Sequence, residues 1–146
     1  MNLEFLIAQF QDFSINRGEN METENTVSIW VGNFASREEL DTYIDLRYDD
    51  DGEIVSSKFY DAFQIDIDDI DEYLIEKEYL DSRFLNVYEH LIGASYADVV
   101  IDNLKKIEDD LAIPESNSII LLYNYKYCGQ VKEQPNIKFI ATVNYR

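Results

Sequence analysis

The chain has 146 residues, 46% of them hydrophobic and 14% aromatic, and a formal net charge of −18 from 30 acidic and 12 basic side chains. Such a length fits one domain that buries about 70% of its unfolded surface, and so many core-forming groups exclude intrinsic disorder. The charge excludes nucleic acid and anionic lipid as direct ligands and calls for a basic partner.

Leu3, Phe5, Leu6, Phe10 and Phe13 step by threes and fours, which predicts a short amphipathic helix before a polar connection from Asn16 to Asn25. Residues 1–25 thus read as a helical extension and linker, and 26–146 as the domain proper. Leu3 to Phe10 is too short to span a bilayer, contains Glu4 and lacks a basic flank, so the expected location is the cytoplasm.

Val27 to Phe34 reads as a core strand, with Val27, Ile29 and Val31 on one face and Ser28, Trp30 and Gly32 on the other. Gly32-Asn33 ends it, and Ser36 with Glu39 three places on has capping-box spacing. The helix that follows, from about Arg37 to Leu46, turns Leu40, Tyr43 and Ile44 inward. After a turn at Tyr48 to Gly52, Ser56 or Ser57 caps a second short helix whose inner face is Phe59, Ala62 and Phe63.

From Gln64 to Glu78 the pattern changes character: Ile65 and Ile67 alternate with acids like an exposed strand, then Ile70, Tyr73, Leu74 and Lys77 step like a helix. Phe84, Val87, Tyr88 and Leu91 predict another short helix ending at Gly93, and Ser95 with Asp98 resembles a new cap. The next helix, Asp98 to Leu111, buries Val100, Leu104, Ile107 and Leu111 and stops before Pro114. Ile119 to Leu122 is a continuous apolar run that grades into alternation, with Tyr123, Tyr125 and Tyr127 opposite Asn124, Lys126 and Cys128, as in a strand leaving the core. A loop from Gly129 to Asn136 leads to a last strand, Ile137 to Tyr145, with Phe139, Ala141 and Val143 on one face, and the two strands form an antiparallel hairpin. The expected fold is α+β: a small antiparallel sheet, made of the first core strand plus this hairpin, covered on one face by helices.

Few residues offer chemistry. Cys128 is the lone cysteine, which excludes an internal disulfide, and His90 is the single histidine. Neither has a nucleophile or base in motif spacing, and the five glycines are too scattered for a phosphate loop. Asp49 to Gly52 superficially resembles a calcium loop, but that register places Arg47 and Lys58 where oxygen ligands are required. Trp30 is expected in the core, whereas the Tyr123, Tyr125, Tyr127 stripe fits either a contact surface or a sheet face beneath a helix. The charge is concentrated: Glu38 to Asp81 holds 17 acidic and three basic residues.

Val27-Ser-Ile-Trp-Val-Gly-Asn-Phe34, followed by Ser36, Glu38-Glu39-Leu40 and Tyr43, resembles the opening of the immunity protein 22 family of bacterial polymorphic toxin systems. The similarity continues through Ser57, Phe59 and Phe63, the acidic stretch Asp66 to Glu72, Ser95-Tyr96 and the strand Tyr123 to Tyr127. The resemblance implies a small α+β protein that binds a cognate toxin and blocks it, with no catalysis and no cofactor. The expected toxin is basic, of nuclease type. The residues expected to meet it are Asp66, Asp68, Asp69, Asp71, Glu72, Tyr73 and Glu76, with Asp49, Asp50 and Asp51, while Trp30, Gly32, Asn33 and Phe34 form a structural motif. The rival expectation is a divalent-metal-binding protein or metal-dependent enzyme using the same carboxylates.

Overall fold

The computed structural model describes residues 21–108 and 112–146. In chain order it contains β1 (Met21–Gly32), α1 (Arg37–Ile44), β2 (Arg47–Tyr48), β3 (Ile54–Val55), α2 (Lys58–Ala62) and two 3-10 turns (Ile67–Asp69 and Glu72–Leu74). There follow β4 (Ile75–Asn86), α3 (Val87–Leu91), α4 (Ala97–Ile107), β5 (Ala112–Lys126), β6 (Glu133–Gln134) and β7 (Ile137–Asn144). The helix expected over Leu3 to Phe13 lies outside the described residues, and so does Leu111. Met21 to Asn25, expected in the connection, belong to β1.

Five strands make one antiparallel sheet in the order β4-β5-β1-β7-β6, and β2 and β3 form a separate small hairpin. The expected C-terminal hairpin is corrected here: β1 lies between β5 and β7 and pairs with both. Every residue from Val27 to Gly32 is buried, and a strand apolar on both faces belongs at the centre of a sheet covered on both sides. Helices accordingly cover both faces, not one. Val27, Ile29 and Val31 pack with Val87 and Leu91 of α3 and Val100 and Leu104 of α4. Trp30 packs on the opposite face with Leu40 and Ile44 of α1 and Phe59, Tyr60 and Phe63 of α2. Its ring lies 4.9 Å from Phe59 and 5.1 Å from Phe139, both edge-on, the arrangement that the ring quadrupoles favour.

Two irregularities shift side chains between faces. Asn124 and Asn25 both adopt positive φ, 60° and 67°, where the β1–β5 register slips, and Asn25 N–H donates to Asn124 Oδ1 at 3.0 Å. The slip sends Tyr123 to the α3–α4 core and Tyr125 and Tyr127 to the α1–α2 core. The expected stripe emerging toward solvent is therefore split and buried, each tyrosine at most 7% exposed. Ser28 repairs the ladder there: its hydroxyl donates to Tyr125 O at 2.7 Å and accepts from Tyr127 N–H at 3.0 Å. In β7, Trp30 pairs with Phe139 and Ile29 with Ala141, so Ile140 is an extra residue. Phe139 consequently joins the Trp30 side while Ala141 and Val143 join the other.

The turn after β1 is built by close approach. A Cβ on Gly32 would meet Asn136 O and the Phe34 ring, each at 2.9 Å. Asn33 N–H donates to Asn136 O at 2.8 Å, and buried Asn117 clamps Phe34, donating to its carbonyl at 2.8 Å and accepting from its N–H at 3.1 Å. Ser36 caps α1 through Glu39 N–H at 3.1 Å, and Glu39 Oε1 reaches back to Ala35 N–H at 2.7 Å. Two further expectations are corrected in the second half. Tyr96, at φ 59°, occupies the cap of α4 in place of Ser95, and Ile107 is 65% exposed at the end of that helix.

Candidate functional site: two clefts beside Tyr73

Between Ile65 and Leu74 the chain forms neither the expected strand nor the expected helix. Aspartate side chains compete for the local backbone donors. Asp66 Oδ1 accepts from Asp68 N–H and Asp71 Oδ1 from Tyr73 N–H, each at 2.9 Å, closing the two 3-10 turns. Strand β4 then begins at Ile75 on the edge of the sheet, with Ile75 and Lys77 opposite Leu122 and Ile120, and Glu76 opposite Leu121. Glu76 and Lys77 therefore leave the strand on opposite faces. Just before them the chain turns out Tyr73, 88% exposed.

On the Lys77 side is a cleft of about 320 Å³ lined by Asp45, Tyr48, Glu72, Tyr73 and Lys77 among others. Lys77 Nζ stands 2.9 Å from Asp45 Oδ1 and 3.3 Å from Asp41 Oδ1. Burial works against its charge, but the two carboxylates outweigh burial and raise its pKa. Tyr48 donates to Glu72 Oε1 at 2.9 Å, and this bond to a carboxylate raises the phenol pKa. Tyr60 is fully buried, and its hydroxyl has no hydrogen-bond partner among the described residues; burial, then the charges of Asp45 and Glu72, push its pKa up.

On the Glu76 side is a cleft of about 370 Å³ lined by Tyr73, Glu76, Ser95, Tyr96, Tyr123 and Tyr145 among others. Tyr123 donates to Glu76 Oε1 at 2.7 Å, and Ser95 N–H points at the same carboxylate at 3.3 Å. Burial and then that bond raise the Tyr123 pKa. Among the described residues no basic group pairs with Glu76; the ion pairs there are those of Lys77.

The acids singled out in the sequence fall into different situations. Asp49 Oδ1 accepts from Asp51 and Glu53 N–H, both at 2.9 Å, so it shapes the β2–β3 turn, as Asp66 and Asp71 shape theirs. Asp50, Asp51 and Asp68 are exposed. Asp69 is partly buried, and its pKa is raised by that burial and by the charges of Asp66, Asp68 and Glu22. The Tyr48–Glu72 bond brings the hairpin carrying Asp49 to Asp51 against the second 3-10 turn. Trp30, Gly32, Asn33 and Phe34 are set in the core and its turn. Sequence reasoning missed Tyr48, Lys77, Tyr96 and Tyr145 as cleft residues, and the Ser95-Tyr96 pair was the available signal for the second cleft.

Among the described residues no group of three or more His, Cys, Asp and Glu side chains is placed to hold a metal ion. His90 Nε2 lies 3.1 Å from Ser116 Oγ, but both residues are buried and His90 Nδ1 has no acceptor among the described residues to orient it. Burial lowers its pKa to about 4, partly opposed by bonding to Ser116. Cys128 is partly buried and is in no disulfide. None of the described helices is long and apolar enough to cross a membrane.

Two clefts walled by carboxylates and tyrosines thus share Tyr73 beside the β4 edge of the sheet. The chain belongs to the family described as Immunity protein 22, whose model matches residues 27–146. Membership implies a cognate toxin as partner, and the family is generally non-enzymatic. No curated protein and no solved structure matches the chain.

Proposed function

We propose that the chain is the cytoplasmic antidote of a bacterial polymorphic toxin, a basic protein of nuclease type, and that it covers the toxin with the flank around Tyr73. The family match over residues 27–146 carries this reading. The concentration of 17 acidic against three basic residues between Glu38 and Asp81 supports it, because a toxin that grips phosphate is met by a surface that imitates phosphate. Carboxylates steer encounter, toward ~10⁸ to 10⁹ per molar per second, while tyrosines such as Tyr73 supply burial.

The test is co-expression with the toxin encoded beside the gene. Asp50→Lys, Asp51→Lys and Asp68→Lys combined reverse three exposed charges whose carboxylates receive no hydrogen bond from a described residue. Growth rescued by the native chain, and lost with the triple variant while its thermal melt is unchanged, supports the reading. No rescue by the native chain, or full rescue by the triple variant, refutes it.

A further inference from the structure

We infer that the cleft formed by Tyr96, Tyr123 and Tyr145 around Glu76 is a receptor for one cationic side chain, arginine or lysine, carried by the partner protein. The inference rests on the antidote reading for the source of that side chain, and on the cleft itself for the chemistry.

Three tyrosine rings meet there at an angle. Tyr96 and Tyr145 are 4.7 Å apart between centroids, Tyr123 and Tyr145 5.0 Å, and Tyr96 and Tyr123 5.8 Å. Their planes are inclined by 53°, 86° and 57°; Tyr123 and Tyr145, 7% and 3% exposed, back the corner, and Tyr96, 50% exposed, is the ring open to a ligand. Ring faces carry negative potential and attract guanidinium and ammonium groups. In the same cleft the partly buried Glu76 carboxylate receives neutral donors, the Tyr123 hydroxyl at 2.7 Å, the Ser95 amide at 3.3 Å and the Ser95 hydroxyl at 3.5 Å. The adjoining Lys77 is already held by two acids, whereas Glu76 has no cation of its own among the described residues.

Tyr96 lines the cleft half exposed, in a left-handed conformation, φ 59°, which most residues with a side chain avoid. The chain's own Arg146 lies 5.2 Å from the Tyr145 centroid but donates to Asn25 Oδ1, so a guanidinium already uses one of these rings without taking the carboxylate. The cleft volume of about 370 Å³ accommodates a long side chain, and a protein with net charge −18 recruits a basic partner to supply it.

The full chain is titrated with N-acetyl-argininamide, N-acetyl-lysinamide, the neutral isostere N-acetyl-citrullinamide and choline, reading the Ser95 amide and the tyrosine ring signals by NMR. Saturable shifts with the arginine or lysine probe and none with citrulline are expected. Glu76→Gln weakens that binding roughly tenfold and Tyr96→Asn roughly fivefold, asparagine being chosen because it tolerates the left-handed backbone. The inference is overturned by absence of shifts with either basic probe, by citrulline or choline binding as tightly as arginine, or by unchanged affinity in Glu76→Gln with a native circular dichroism spectrum. The same two variants are then tested against the toxin. If they protect as well as the native chain, the cleft is not the contact and the antidote reading stands. If the native chain does not protect while argininamide still binds, the antidote reading falls and the cation receptor stands.

Discussion

Tyr48 and Glu72 are joined by a 2.9 Å hydrogen bond, and that contact ties the β2–β3 hairpin to the acidic turns before β4. The hairpin has two residue pairs of its own, Arg47 with Val55 and Tyr48 with Ile54, and isolated two-stranded ribbons are marginal in water. Tyr48→Phe should leave the global melting temperature unchanged, since the side chain is 56% exposed, but speed amide exchange in the hairpin and weaken toxin binding. Hydrogen exchange by NMR gives the answer; unaltered protection in Tyr48→Phe would mean the hairpin holds itself.

Trp30 is fully buried in the α1–α2 core, with its ring within 6 Å of Phe59, Phe63, Tyr127 and Phe139. Trp30→Ala should cost about 3–5 kcal/mol, large against the usual stability of a domain this size. Urea denaturation followed by far-ultraviolet circular dichroism measures it. A loss below about 1 kcal/mol would show that the face is loosely packed.

Gly32→Ala should also destabilise, by about 1–3 kcal/mol, because the new methyl meets a backbone carbonyl on one side and a buried ring on the other. The ring of Phe34 can turn, but Asn136 O is fixed by the Asn33 amide. The thermal melt of Gly32→Ala, compared with that of Gly93→Ala, where a Cβ meets nothing within 4 Å, isolates the effect.

His90 should make stability fall in mildly acid solution. Its folded pKa of about 4 lies below the ordinary 6.5, so above pH 6.5 the imidazole is neutral in both states and its contribution is fully present. As pH falls from 6.5 towards 4 the unfolded chain takes up a proton that the folded chain refuses, and stability drains by about 3 kcal/mol across that window. Below pH 4 the folded state protonates too and the drain ends. His90→Gln keeps a donor for Ser116 without titrating, so urea midpoints of the two proteins at pH 7 and pH 4.5 should diverge only at the lower value.

Local patterns were legible where a single element determines them. The alternation at Val27 to Val31, the Ser36 cap and the Val100–Leu104 face of α4 all appear as read, since each depends on neighbours within one turn or one pleat. Patterns that depend on a change of hand were not. Asn124 looks like an ordinary polar residue in an alternating run and Asn25 like the end of a polar connection, yet their positive φ exchanges the faces of what lies beyond them. The helical spacing of Ile70, Tyr73, Leu74 and Lys77 misled because Asp66 and Asp71 divert the backbone into tight turns. Strand order was invisible too, because β5 and β7 have equal claims on each other and on β1.

The candidate site divides the same way. The acids were conspicuous as a run, but the run did not reveal that Asp49, Asp66 and Asp71 are occupied with their own turns. The tyrosine cleft was hidden because its walls come from the loop before α4, the middle of β5 and the residue after β7. Only the antiparallel pairing of β5 and β7 with β1 brings Tyr123 and Tyr145 within 5.0 Å.

The position of β1 between β5 and β7 also sets an order of assembly during synthesis. The central ribbon, whose stretch from Val27 to Gly32 ends buried, leaves the ribosome first among the described strands, and its neighbours β5 and β7 emerge only after the acidic middle. It waits without a partner while the whole acidic middle is made, and contacts of such long sequence separation form slowly, on the millisecond-to-second scale. The charge carried by that middle segment keeps the waiting chain dispersed, so the same carboxylates serve solubility before there is any surface for them to decorate.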